Sequence, residues 1–86
     1  MYILVTHQIS NPEKFWGEAQ KSLPNLPQGI KIHSVLPNET MNYAACLWEA
    51  NSVDQLRTYL LDKVGDVSEN RFDVLNEQNA MGVPGK

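Results

Sequence analysis

A chain of 86 residues is long enough for one domain, and 42% hydrophobic with 20% charged residues is the composition of a folded protein rather than a disordered one. The net charge of −3 argues against nucleic acid or an anionic membrane as the partner. With a single cysteine and no apolar run near the roughly 20 residues of a membrane span, we expect a soluble, cytoplasmic protein.

The first part of the chain predicts a strand, a helix and a second strand. Residues 2–8 are rich in β-forming side chains and predict the first strand. Asn11 before Pro12 is typical of a helix start, because Asn11 can cap the first turn and Pro12 suits the first helical position. Apolar side chains then recur at helical spacing up to Pro24, at Phe15, Trp16, Ala19 and Leu23. Residues 30–36 predict the second strand.

The second part predicts a hairpin, a second helix, a fourth strand and a tail. After a turn, residues 43–50 form a nearly continuous apolar strand. Ser52 with Gln55 is a capping-box pattern that predicts the start of the second helix. Residues 71–76 predict the fourth strand. Residues 77–86 contain two Gly and one Pro and predict a tail that is long enough to lie across a neighbour.

The order strand, helix, strand, strand, helix, strand predicts a ferredoxin-like α+β sandwich as a single domain over residues 1–86. We expect a four-stranded antiparallel sheet in the order 4-1-3-2, with both helices on one face. The other face has no cover in this prediction and would expose a large apolar patch, which monomers rarely tolerate. The sequence therefore predicts a homodimer through this open face, with contributions from Tyr43, Cys46, Trp48 and Leu75.

The face occupied by Cys46 and Trp48 depends on the strand register. In one register Ile32, Ala45 and Leu47 face the helices, and the open face carries Lys31, His33, Cys46 and Trp48. A slip of one residue sends Cys46 and Trp48 inward instead. We favour the first register, because small or aliphatic Ala45 and Leu47 suit packing against helices.

In this register His33, Cys46, Trp48 and Tyr43 are the candidate ligand-binding residues on the open face. A nearby imidazolium would lower the pKa of the Cys46 thiol, and we then expect His33→Ala to weaken binding or reaction there. The alternative is that Cys46 is a buried core residue and Trp48 an anchor of the dimer interface. The candidate metal ligands are His7, His33, Cys46 and Glu49, whose imidazole and thiolate groups suit Zn, Ni or Cu, although no two have a diagnostic spacing.

His7 and His33 are the candidate catalytic residues, because imidazole has a pKa of about 6.5 and suits a general base. No nucleophile motif or glycine-rich phosphate loop is present. Two functions therefore remain open. One is a binding or structural protein that holds a small ligand or a metal. The alternative is a cofactor-independent enzyme of the monooxygenase or isomerase type, with its site in a cavity between sheets.

The sequence of the predicted second and third strands also resembles that of a known protein family. Ile32-His33-Ser34, followed by Cys46, an aromatic at Trp48, Glu49 and Ala50, is similar to a family of small bacterial ferredoxin-like proteins of unassigned function, some proposed to bind nickel. The layout resembles the broader dimeric α+β-barrel superfamily, in which two subunits pack sheet against sheet around a cavity. Its members include cofactor-independent monooxygenases, small isomerases and heme-degrading enzymes. The resemblance implies a dimer, and it marks His33 and Cys46 as the positions of interest.

Overall fold

The computed structural model describes residues 1–85, and its helices and strands follow the predicted order. Within these residues there are four strands and two α-helices: β1 Tyr2–Ile9, α1 Pro12–Ser22, β2 Ile30–Pro37, β3 Tyr43–Ala50, α2 Val53–Val64 and β4 Ser68–Val74. A short 3₁₀ turn, Leu23–Asn25, follows α1. No helix in this range is long and apolar enough to cross a membrane.

The four described strands form one antiparallel sheet in the order β2-β3-β1-β4, which confirms the predicted order 4-1-3-2 and the α+β class. The central strands are β1 and β3, and the edges are β2 and β4. Both helices pack on the same face, since Phe15 of α1 and Leu56 of α2 share one core with the buried side chains of β1 and β3. This is the ferredoxin-like arrangement.

Both helices begin where the capping residues predict. The Asn11 side chain accepts a hydrogen bond from the Lys14 backbone N–H at 3.2 Å. The Ser52 hydroxyl accepts one from the Gln55 backbone N–H at 3.1 Å. Each side chain satisfies a backbone donor that has no partner within the first helical turn, and each therefore fixes the residue at which its helix begins.

Strand alternation places Cys46 and Trp48 on the face that the helices cover. The odd-numbered side chains of β1 and the even-numbered side chains of β3 are buried, and Val5 pairs directly with Cys46. The favoured register, with Cys46 and Trp48 on the open face, is therefore wrong, and the register shifted by one residue is correct. Ala45 and Leu47 point away from the helices, because burying the larger Trp48 removes far more apolar area from water.

A β-bulge at His33 interrupts the alternation of β2. Ile32 pairs with Trp48 and Ser34 pairs with the preceding residue, Leu47, so His33 has no partner of its own in the ladder. The extra residue of a bulge reverses, from that point onward, which alternate side chains of the strand face each side of the sheet. This is why the pattern of β2 alone does not reveal which residues face the helices.

β4 begins at Ser68 rather than at the predicted Arg71. Its first residues are polar, so they lack the β-forming side chains that are typical of a strand. Ser68 is nevertheless buried, and its hydroxyl lies 3.0 Å from the Val64 carbonyl oxygen at the end of α2. The strand thus follows α2 after only a short turn.

The C-terminal residues fold back onto the chain. Val83 is buried, although it does not belong to the main core cluster. The Tyr2 hydroxyl donates a hydrogen bond to the Pro84 carbonyl oxygen at 3.1 Å. Because Tyr2 alternates with buried Ile3, its side chain is on the open face. The open face is therefore not entirely bare, because the tail contacts it at Tyr2.

Candidate functional site

A small internal cavity lies between the sheet and the two helices. It has a volume of about 40 Å³. The strands line it with His7, Val35, Cys46 and Trp48, and the helices line it with Phe15, Trp16, Tyr59 and Leu60 among other apolar side chains. We call this cavity the core pocket. It brings together three residues singled out from the sequence, but beneath the helices and not on the open face.

His7 is the buried polar residue of the pocket, with only 2% of its surface exposed. It belongs to the row of β1 side chains that alternation turns toward the helices, and the Phe15 ring packs edge-on against it at 5.1 Å between centroids. Its Nδ1 lies 2.5 Å from Asn70 Oδ1 on the neighbouring strand β4. Since Oδ1 can only accept, Nδ1 carries the hydrogen and Nε2 keeps its lone pair.

The environment of His7 keeps the imidazole neutral. Burial lowers the pKa of His7 below its usual value of 6.5, and the hydrogen bond to Asn70 opposes this only in part. Asn70 is held in turn by the Ser68 hydroxyl at 2.8 Å. Neither Asn70 nor Ser68 was singled out from the sequence, because polar residues at the start of an edge strand resemble an ordinary loop. The pocket therefore contains a neutral, oriented imidazole at neutral pH.

Trp48 also lines the pocket, and its indole carries a buried hydrogen-bond donor that has no partner in the described part of the chain. It is 3% exposed, and its Nε1–H has no hydrogen-bond partner within residues 1–85. The other tryptophan, Trp16, donates its Nε1–H to the Met41 carbonyl oxygen at 2.9 Å. A buried donor without an acceptor costs about 1–3 kcal/mol. The indole of Trp48 is therefore a group that an acceptor from outside the chain would satisfy.

Cys46 lies between His7 and Trp48 on the pocket side of the sheet. It pairs with Val5 across the β1–β3 ladder, and His7 pairs with Ala44, so Cys46 is the diagonal neighbour of His7 at about 7–8 Å between Cα atoms. Burial raises the pKa of the Cys46 thiol to about 11. The side chain is therefore a neutral thiol at physiological pH and acts there as a small apolar group.

His33 and Glu49 form a separate pair on the open face. His33 Nε2 lies 2.9 Å from Glu49 Oε1, and this hydrogen bond lowers the pKa of Glu49. The Tyr2 ring packs against His33 at 5.5 Å between centroids. His33 and Cys46 thus lie on opposite faces of the sheet, and the predicted imidazole–thiol pair does not form. Tyr43 is on the open face and 40% exposed, at the opposite end of β3 from Glu49.

The four candidate metal ligands are divided between the two faces. His7 and Cys46 are under the helices, whereas His33 and Glu49 are on the open face, so they do not form one first coordination shell. Among residues 1–85 no group of three or more His, Cys, Asp or Glu side chains is arranged to hold a metal ion. A neutral imidazole, a neutral thiol and an indole N–H together suit an uncharged organic group.

Three residues with polar groups also line the pocket. Glu18 and Ser22 of α1 and Lys63 of α2 contribute to its lining, and the Ser22 hydroxyl donates to Glu18 Oε2 at 2.6 Å. Comparison of the whole chain with known proteins adds no assignment to this geometry: no family model, no curated protein and no solved structure matches it.

Proposed function

We propose that this chain binds a small, largely apolar ligand in the core pocket, with one ligand oxygen accepting the Trp48 Nε1–H. The observation that carries the proposal is that donor, which is buried and has no acceptor within residues 1–85. A pocket of about 40 Å³ holds only a few non-hydrogen atoms. The ligand part that enters it is therefore short, and a carbonyl group surrounded by aliphatic carbon fits its chemistry.

Methyl propyl ketone is a suitable probe, and both tryptophans report on it. A titration followed by the indole N–H signals is expected to shift Trp48 strongly, because its donor gains an acceptor. Trp16 serves as the internal reference, since its N–H is already bonded to Met41. The variant Trp48→Phe keeps an aromatic ring without the N–H and should bind the ketone about five- to tenfold more weakly. Unchanged Trp48 signals, as expected if only water occupies the pocket, would exclude the proposal.

A cofactor-independent isomerase is the second candidate function, and neutral His7 favours it. In this reaction His7 Nε2 would take a proton from the carbon beside a ligand carbonyl, while the Trp48 N–H stabilises the enolate oxygen that forms. With a β,γ-unsaturated ketone, the dienolate would take the proton back at its γ carbon, which moves the double bond and completes the isomerisation. Incorporation of deuterium into the ketone in heavy water tests this step. His7→Gln should abolish it, and no incorporation above the buffer rate by the unmodified protein would exclude the enzyme.

We further propose that a second copy of the chain packs on the part of the open face that the tail leaves uncovered. Leu36 and Tyr43 support this, since they are 61% and 40% exposed on that face. Leu4 and Leu47 lie beside them and are half-buried. Sedimentation velocity should show a species of twice the 9.7 kDa monomer mass at micromolar concentration, and Leu36→Lys should weaken it. A 9.7 kDa species alone would exclude the dimer.

A further inference from the structure

The outer edge of β4 presents backbone groups that no neighbouring strand uses. At one end of the strand the Leu75 N–H donates to the Tyr2 carbonyl oxygen at 2.9 Å. At the other end the Ser10 N–H donates to the Val67 carbonyl oxygen at 2.9 Å. Because alternate residues of an antiparallel strand bond to the same neighbour, the odd-numbered residues of β4 bond to β1. The even-numbered residues therefore turn their N–H and C=O groups to the free edge, where no other strand of residues 1–85 lies.

Apolar side chains are exposed along the same edge. Val74 is 54% exposed, and Leu61 of α2 is 69% exposed. Leu61 lines a surface groove of about 270 Å³ together with Phe72 of β4. Phe72 and Val74 are on the helix side of the sheet, since they pair with buried Val5 and Ile3. A strand added at this edge would bond to the free backbone groups and would cover part of this apolar surface.

The other side of the same edge carries alternating charges. Glu69, Arg71 and Asp73 are the odd-numbered side chains of β4, and Arg71 and Asp73 pair with Thr6 and Leu4 of the open face. Arg71 Nε lies 3.2 Å from Asp73 Oδ2, so these two charges already form one ion pair within the chain. Their side chains remain 79% and 48% exposed, and each can therefore take a second charged neighbour.

We infer that a second copy of this chain binds at this edge, with the two β4 strands antiparallel about a two-fold axis at Phe72. In this register Arg71 lies opposite Asp73 of the partner subunit, and Asp73 lies opposite Arg71 of the partner subunit. Because each arginine also contacts the aspartate of its own strand, the four charges alternate around a square. Opposite charges in directly facing positions stabilise a pair of strands. Exposed Val74 is covered by Asn70 of the partner subunit.

The neighbouring registers fit less well. With the axis at Arg71, the two arginines face each other and Glu69 faces Asp73 of the partner subunit, so every facing pair carries like charges, which destabilises pairing. With the axis at Asn70, Glu69 faces an arginine, but Val74 then faces residue 66, which precedes the strand, and stays uncovered. The charges of β4 thus select one partner strand in one register. Pairing of the two edges also leaves neither of them free for further growth.

Charge reversal tests the register in a protein that carries Leu36→Lys, which weakens packing on the open face and lies on β2, at the opposite edge of the sheet. Arg71→Asp creates two facing pairs of aspartates, and Asp73→Arg creates two facing pairs of arginines. Each should raise the dissociation constant of the dimer about tenfold or more in sedimentation equilibrium. Glu69→Arg is the control and should leave the constant unchanged, because residue 69 faces Leu75 of the partner subunit.

Mixing the two single variants restores opposite charges at both facing pairs. An equimolar mixture of Arg71→Asp and Asp73→Arg should therefore form heterodimers in large excess over homodimers, which native mass spectrometry separates by mass. A monomeric Leu36→Lys protein at micromolar concentration, or a mixture with homodimers as frequent as heterodimers, would show that β4 is not the interface. Weakening by Glu69→Arg would overturn the register. A dimer that Leu36→Lys alone abolishes belongs to the open face, and none of these results bears on the core pocket.

Discussion

His7 is a titratable side chain held among apolar neighbours, and its charge state is tied to folding. The pKa of His7 is lowered in the folded chain from its usual value of 6.5 because burial disfavours the imidazolium. The unfolded chain therefore takes up the proton at a higher pH than the folded chain does. The stability associated with neutral His7 is fully present above pH 6.5 and is lost as the pH falls toward the lowered pKa.

We predict that the free energy of unfolding decreases as the pH is lowered from 7.5 to 5.5, by up to about 1.4 kcal/mol per pH unit for this one group. His7→Gln should be less stable at pH 7.5 and should show a clearly flatter pH dependence. Urea titrations at several pH values measure both. An equal slope in the two proteins would show that the imidazole of His7 is not the group responsible.

Cys46 should react slowly in the folded chain. Its pKa of about 11 leaves far less thiolate at neutral pH than an exposed thiol has, and the helices also block access. Alkylation by iodoacetamide at pH 7.5 should be more than about a hundredfold slower in buffer than in concentrated urea.

His33→Ala provides the matched control for this measurement. The sequence predicted that removing His33 would weaken the reactivity of Cys46, but the two side chains lie on opposite faces of the sheet. The alkylation rate of His33→Ala should therefore equal that of the unmodified protein. A change in rate without a change in stability would contradict the placement of Cys46 under the helices.

The two helices depend on their first residues in the same way, which allows a direct comparison. Asn11→Ala and Ser52→Ala each remove a side-chain acceptor from a backbone N–H, and each should lower the free energy of unfolding by about 1 kcal/mol. Asn11→Asp keeps the acceptor and should cost little. Urea unfolding followed by circular dichroism measures all three. If Asn11→Ala and Asn11→Asp are equally stable, the cap at α1 makes no contribution.

The positions of most helices and strands could be predicted, because residues close together in the sequence set where they begin and end. The helix starts at Asn11 and Ser52 are set by side chains three residues away from their partners, and the bounds 43–50 of β3 are those observed. The start of β4 was missed because Ser68 and its neighbours owe their strand conformation to pairing with β1, which is distant in the sequence.

Which side of the sheet each side chain faces was harder to predict than where each strand lies in the sequence. In β3, Ala44 to Trp48 is apolar on both faces, so its pattern fits either register equally well. β1 carries the information that decides, because buried Ile3, Val5 and Ile9 alternate with positions that include Thr6 and Gln8, and Ile3 and Val5 pair with Trp48 and Cys46 of β3. His7 falls in this buried row. Its place in the site was therefore visible in the alternation of β1, whereas the part played by Asn70 follows only from the pairing of β1 with β4.

The tail contributes to the whole molecule as a partial third layer beside the helices and the sheet. Val83 is buried, and loss of its two methyl groups should cost about 1–1.5 kcal/mol. We predict this loss for Val83→Ala in urea titrations. Met81→Ala is the control, because Met81 is 93% exposed and its truncation should leave the stability unchanged. Equal stabilities of the two variants would mean that the tail does not hold its place on the open face.

The bulge at His33 has a consequence for solubility. An edge strand with a regular row of free N–H and C=O groups is a template on which other chains add strands, and such growth leads to aggregates. In β2 the extra residue breaks that row in the middle of the strand. The other edge, β4, is protected differently, because Glu69, Arg71 and Asp73 place charges along it. Deleting His33 would straighten β2 into an uninterrupted template, and light scattering on heating should then show faster aggregation than in the unmodified protein.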